Sequence, residues 1–306
     1  MKPYVLERFK GITVAMYSCY DEQGMVSVDA AKKLARYYAT AGVSGLYVGG
    51  SSGEGMLQSV EERKSILAAV VSEVGHELTI IAHIGAPSTR DSVELAQHAE
   101  LVGAHAVSAV PAIYYRLSPE SVEAHWQAII DSTSLPFIIY HIPQTTGFQL
   151  SKSLLTKMAA QDKVIGVKIS AESTFELQQF KAAGGDDFLV LNGPDEQYLA
   201  GRSIGADGGI GGTYGVMPEL FMKIERCYQE GDMVEARKWQ FIVNELITDL
   251  LSFPSLYGAC KAILKLRGID SGNPRMPLLP VAESDWKRIE YLDERINTYV
   301  AQVNVS

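Results

Sequence analysis

Eight apolar, β-branched runs recur along this chain at fairly even spacing: GITVAMY (11–17), GLYVGG (45–50), LTIIAHIG (78–85), AVSAVPA (106–112), PFIIYHIP (136–143), VIGVKIS (164–170), FLVLNGP (188–194) and GGIGGTYG (208–215). They are nearly continuous rather than alternating, which is the pattern of strands buried on both faces. Helical segments lie between them. The clearest is SVEERKSILAAVVSEVG, where Ser59 and Glu62 make a capping box, Ile66, Leu67, Val70, Val71 and Val74 form one stripe, and Gly75 stands at the stop. Alternation of this kind specifies parallel βαβ units. Eight of them close into a (β/α)8 TIM barrel, with functional groups at the C-terminal ends of the strands. An open doubly wound sheet is the rival, but no GxGxxG follows the first strand. From Pro218 onward the text is helical without further strand runs. The expected organisation is therefore a catalytic barrel over 1–217 and an appended C-terminal helical bundle over 218–306.

The 306 residues suit one such unit, and 47% hydrophobic residues suffice for its core. No apolar run reaches the roughly 18 residues of a membrane span, so no membrane partner is expected. A net charge of −9 without a basic cluster argues against nucleic acid. Cys19, Cys227 and Cys260 have no metal or redox spacing, and the N-terminus reads as no secretory signal. Both point to the cytoplasm.

One residue interrupts the pattern. Lys168 lies on an apolar strand, and lysine is rarely buried without a partner. Desolvation favours the neutral amine, which can attack a ketone to form a Schiff base; the bland alternative is an ammonium that snorkels out of the barrel mouth. The other strand ends carry Gly49-Gly50-Ser51-Ser52-Gly53-Glu54, Tyr114 and Tyr115, Tyr140, and Asn192-Gly193-Pro194-Asp195-Glu196. The serine loop reads either as a tight turn or as an anion cradle of N–H and hydroxyl groups. Tyr140 reads as a core tyrosine with a polar tip or as an acid–base. His83 and His141 lack a second ligand at metal spacing, so no metal is expected.

GLYVGGSSGEG, YHIPQTTG, GVKIS, NGPDE and GADGGIGGTYG, in that order over nearly the whole chain, resemble the pyruvate-dependent class I aldolases related to dihydrodipicolinate synthase and N-acetylneuraminate lyase. The resemblance implies that Lys168 condenses with the keto group of pyruvate and that no separate cofactor is needed. It makes Tyr140 the proton shuttle and gives the keto-acid carboxylate to Ser51 and Ser52, with Ser170 beside them. It places Tyr114 across a subunit boundary, within a homotetramer.

Two features separate the branches of the family. Dihydrodipicolinate synthases carry an arginine after the catalytic tyrosine where this chain has Thr145, and threonine cannot replace a bidentate cationic fork. Gly193, Asp195 and Glu196 match the segment that holds the sugar tail in sialic acid lyases, and carboxylates suit a row of hydroxyls. Asp195 and Glu196 also fit an ordinary helix N-terminus. Gly212 stands where the lyases often have serine, His141 where they have asparagine, and Ser170 where threonine is common. The expected activity is cleavage of sialic acid to pyruvate and N-acetylmannosamine. The alternatives are an aldolase for another 2-keto-3-deoxy sugar acid, a dihydrodipicolinate-forming synthase, or a keto-acid-binding sensor without turnover.

Overall fold

The computed structural model describes residues 2–305 and contains a closed barrel of eight parallel strands in sequence order. They are β1 (Gly11–Ala15), β2 (Gly45–Val48), β3 (Thr79–His83), β4 (Ala106–Ala109), β5 (Phe137–His141), β6 (Val164–Ile169), β7 (Leu189–Asn192) and β8 (Gly208–Gly211). Each lies within one of the eight expected runs. The ring closes where Gly11 to Val14 of β1 pair with Gly208 to Gly211 of β8. β8 can be glycine-rich because its side-chain space is already occupied. A Cβ on Gly208 would stand 2.5 Å from the Gly11 carbonyl oxygen, and one on Gly209 2.4 Å from the Tyr214 hydroxyl.

The helices are α1 (Val28–Ala41), α2 (Val60–Val74), α3 (Thr89–Val102), α4 (Pro119–Asp131), α5 (Pro143–Thr146), α6 (Lys152–Ala159), α7 (Thr174–Gly184), α8 (Tyr198–Ser203), α9 (Pro218–Gln229), α10 (Met233–Leu251), α11 (Leu256–Leu266) and α12 (Trp286–Val305). Serine hydroxyls cap α1, α2, α3, α4, α6 and α7, and α2 has the full capping box of Ser59 and Glu62. After β8 the chain is helical. α9 packs against β1 and α1, α10 lies along α9, and α11 and α12 pack on each other.

Two apolar layers result. Ile81, Ile138, Tyr140, Ile165, Leu191 and Ile210 fill the barrel lumen, while Val107, Phe137, Ile139, Val164, Val167 and Ile169 face the surrounding helices. The alternation is broken once, and the break concerns Lys168. Phe137 is in register with Val164, but Ile138 is in register with Gly166, which leaves Ile165 without a partner in β5. An extra residue of this kind re-aims the side chains beyond it. Past the shift Tyr140 and Lys168 are register partners, and both turn toward the lumen.

Candidate active site

The C-terminal ends of the strands and the face of α10 and α11 enclose a cavity of about 230 Å³. Ser51, Ser52, Tyr140, Lys168, Ser170, Gly193, Asp195, Glu196 and Gly212 all line it, so nine residues separated by up to 161 positions in the chain meet there. A larger cleft of about 390 Å³ lies between Tyr20 and Arg275. Its basic groups, Lys265 and Arg275, are already paired with Asp270 and Glu62. The smaller cavity is the one that Lys168 lines.

Lys168 is only 5% exposed. Its Nζ lies 4.8 Å from the ring centre of Tyr47 and 4.1 Å from that of Tyr140, so aromatic faces rather than a paired carboxylate surround it. Lys163, on the same segment, is engaged elsewhere, donating to the carbonyls of Ile130 and Thr133. Tyr140 lies edge-on to Tyr47 and His83, and its hydroxyl is 3.5 Å from Ser51 Oγ. Burial pushes the Tyr140 phenol up, but the Lys168 charge and hydrogen bonds with Ser51, Lys168 and Ser170 outweigh it, and the net shift is downward. That makes the phenolate more accessible beside the amine.

Behind this pair the surroundings are fixed. Tyr47 donates to Ser108 Oγ at 2.9 Å, and His83 Nδ1 donates to the Gly49 carbonyl at 2.9 Å. Burial, aided by the Arg63 charge, drives His83 down to about 3, so its imidazole is neutral at ordinary pH. Arg63 is buried without a carboxylate and donates to the carbonyls of Gly85 and His83. It ties α2 to the end of β3.

The serine loop is compact because glycine allows it to be. Gly49 has φ of 78°, and a Cβ on Gly55 would stand 2.0 Å from the Gly49 carbonyl oxygen. Ser51 is exposed in the mouth, whereas Ser52 is buried and lines the cavity with Tyr257. Gly193 packs so closely on Ser170 that a Cβ would meet Ser170 Oγ at 2.1 Å.

Asp195 is buried, and its Oδ2 accepts hydrogen bonds from the Thr213 backbone N–H at 2.7 Å and hydroxyl at 2.6 Å. One oxygen is therefore committed to the loop after β8, while Oδ1 is buried without a hydrogen-bond partner. Burial raises this carboxyl to about 6, against the partial relief that Thr213 gives. Glu196 is exposed on the rim. Tyr114 does not line the cavity of its own chain. It is 90% exposed, adopts a φ of 84° and stacks edge-on with Tyr115.

Several lining or supporting residues carry no sequence signal. Ile247, Leu251, Leu256 and Tyr257 come from α10 and α11, where each reads as part of an apolar helix face. Glu54 was visible in the serine motif but had no assigned partner; it is buried against Lys261 of α11. Among the described residues no group of three or more His, Cys, Asp or Glu side chains could hold a metal ion.

A lumen lysine and tyrosine beside a serine loop, in a (β/α)8 barrel, fit a carbon–carbon lyase of the aldolase kind. Residues 8–293 match the model of the dihydrodipicolinate synthetase family, and the chain belongs to that family. It is 43% identical over 290 residues to N-acetylneuraminate lyase of Mediterraneibacter gnavus, covering 93% of this chain and 91% of the relative. It is 37% identical over 279 residues to N-acetylneuraminate lyase of Rhizobium meliloti, covering 91% and 92%. The solved structure of a catalytic lysine mutant of the Ruminococcus gnavus sialic acid aldolase superposes with a TM-score of 0.97 at 40% identity, covering 99% of this chain and all of that one.

Proposed function

We propose that the protein cleaves N-acetylneuraminate to pyruvate and N-acetylmannosamine through an imine on Lys168. The observation that carries the reading is the placement of Lys168 and Tyr140 as register partners in the lumen, in a cavity that Gly193, Asp195 and Glu196 also line. The neutral amine adds to the keto carbon C2 of the open-chain sugar acid, and water leaves as the imine forms. Ser51 and Ser52 hold the C1 carboxylate. The Tyr140 phenolate takes the proton of the C4 hydroxyl, the C3–C4 bond breaks, and its electron pair passes into the imine to give an enamine. Protonation at C3 and hydrolysis release pyruvate and return the free amine. The imine is the electron sink, so no separate cofactor is needed.

Gly193, Asp195 and Glu196 hold the sugar tail, with Gly212 facing it across Ser52. In this reading residues 1–217 carry the chemistry, and residues 218–306 wall the tail end through Ile247, Leu251, Leu256 and Tyr257. Tyr114 completes the site of a neighbouring chain in a homotetramer; its exposed ring and left-handed backbone suit a group held by contacts outside its own chain. The enzyme works in the cytoplasm. Among the described residues, no helix is long and apolar enough to cross a membrane.

One observation favours a second reading. Because Thr213 occupies one oxygen of Asp195, and Gly212 offers no hydroxyl, fewer groups remain for a long polyhydroxy tail. A shorter 2-keto-3-deoxy sugar acid needs fewer. Synthase activity on an amino aldehyde is disfavoured, since exposed Thr145 donates to the Ile142 carbonyl and brings no positive charge. Pyruvate release from N-acetylneuraminate and from shorter 2-keto-3-deoxy acids decides between them. The proposal expects the highest kcat/KM for N-acetylneuraminate. Turnover confined to a shorter acid overturns the substrate and keeps the aldolase; binding without any turnover leaves a sensor.

A further inference from the structure

Glu54 ends the loop that begins Gly49-Gly50-Ser51-Ser52, and it takes no part in lining the cavity. Its side chain is fully buried. The backbone there is left-handed, with φ of 52° and ψ of 27°, in a residue that has a Cβ and so does not choose that conformation unaided. What holds it comes from far along the chain. Lys261 Nζ of α11 donates to Glu54 Oε1 at 2.6 Å, and the Arg275 backbone N–H donates to Oε2 at 2.7 Å. Lys261 also lies 4.6 Å above the ring of Tyr20 and reaches the Asn273 carbonyl at 3.4 Å.

The loop and this anchor are continuous. The Glu54 N–H donates to the Ser51 carbonyl at 3.0 Å, so the residue that is anchored and the residue that faces the mouth share one turn. α11 meets the loop a second time, because its Tyr257 and Ser52 line the same cavity. A buried ion pair is a poor device for stability alone, since its desolvation cost offsets much of its attraction and well-packed apolar groups often serve as well. It is a good device for holding one geometry.

We propose that Glu54 and Lys261 are positioning residues. By tying the Ser51–Ser52 turn to α11, they set how well the mouth holds the keto-acid carboxylate, so affinity for the keto acid is governed from the helices after the barrel. This rests on the carboxylate role given above to Ser51 and Ser52. Neither residue touches Lys168 or Tyr140, so the effect falls on binding rather than on the chemical steps.

The test is pyruvate-dependent borohydride trapping, titrated in wild type, Glu54→Gln, Lys261→Met and the double variant, with folding checked by circular dichroism. The pyruvate concentration for half-maximal trapping should rise tenfold or more in the folded variants, while the maximal adduct on Lys168 stays near one per chain. KM for the sugar acid should rise with it, and kcat should change less than threefold. An unchanged half-saturation in any folded variant overturns the proposal. Wild type carries a second readout that needs no variant. By linkage, pyruvate should slow deuterium uptake at 272–275, where the Arg275 amide is bonded to Glu54; unchanged uptake there also overturns it. Wild type that traps no pyruvate at all sinks the functional reading, and the positioning role with it. Wild type that traps normally beside unaffected variants sinks only the positioning role.

Discussion

Tyr140 and Lys168 are register partners on neighbouring strands, and the lysine Nζ lies 4.1 Å from the centre of the tyrosine ring. At that distance the lysine's charge, with the hydrogen bonds around the phenol, outweighs burial and shifts the phenol downward. Tyr140→Phe keeps the ring that packs on Tyr47 and His83 and removes only the hydroxyl. Cleavage should slow by roughly 10²–10⁴-fold, the usual range for a positioned acid–base. Imine trapping should persist at least in part. Steady-state rates beside intact-mass analysis check both, and near-native turnover would make Tyr140 a packing residue.

Asp195 gives a pH signature in stability. Its folded carboxyl titrates at about 6 against an ordinary 3.8, because burial disfavours the charge. A raised pKa contributes stability that is complete below about pH 3.8 and is lost as pH rises toward 6. Wild type should therefore lose ground to Asp195→Asn between about pH 4 and pH 6, by on the order of 3 kcal/mol at most, and hold a constant difference above that. Urea melts of both proteins across pH 4–8 measure it. A difference that is flat, or that favours wild type as pH rises, contradicts the assignment.

Gly193→Ala tests how tightly the tail wall is built. The new Cβ would stand 2.1 Å from Ser170 Oγ and 2.7 Å from the Ile169 carbonyl, so backbone must move as well as a side chain. Overpacking of this kind costs about 1–3 kcal/mol. The melting temperature should fall, and kcat/KM for the sugar acid should fall at least tenfold. An unchanged melting temperature would show that the loop absorbs the methyl group.

The family resemblance, which places Tyr114 across a subunit boundary, predicts assembly. Light scattering should find a homotetramer, and Tyr114→Ala should lower kcat/KM without changing the exposure of Lys168 to borohydride in its own chain. A fully active monomer would contradict it.

The barrel was legible because strands buried on both faces must read as continuous apolar runs, and even the glycine-rich β8 kept that spacing. Lys168 stood out because an ammonium on such a strand is costly, whereas Tyr140 was singled out by the family resemblance. The register shift that leaves Ile165 unpaired was not, since it depends on how β5 and β6 fit together rather than on either strand. Glu54 and Lys261 are 207 positions apart, and no local pattern links them. Tyr257 was hidden for another reason: on an amphipathic helix it looks like core. The motif NGPDE suggested acceptors for sugar hydroxyls, but the commitment of one Asp195 oxygen to Thr213 is set by two loops meeting at the barrel mouth.

The central claim is that Lys168 forms the imine, and borohydride reduction in the presence of pyruvate followed by peptide mapping tests it most directly. Lys168→Arg should give no adduct, because a guanidinium stays protonated. One pyruvate-derived adduct per wild-type chain, on Lys168, is the predicted result; an adduct on Lys163 or Lys261, or none on any lysine, would contradict it.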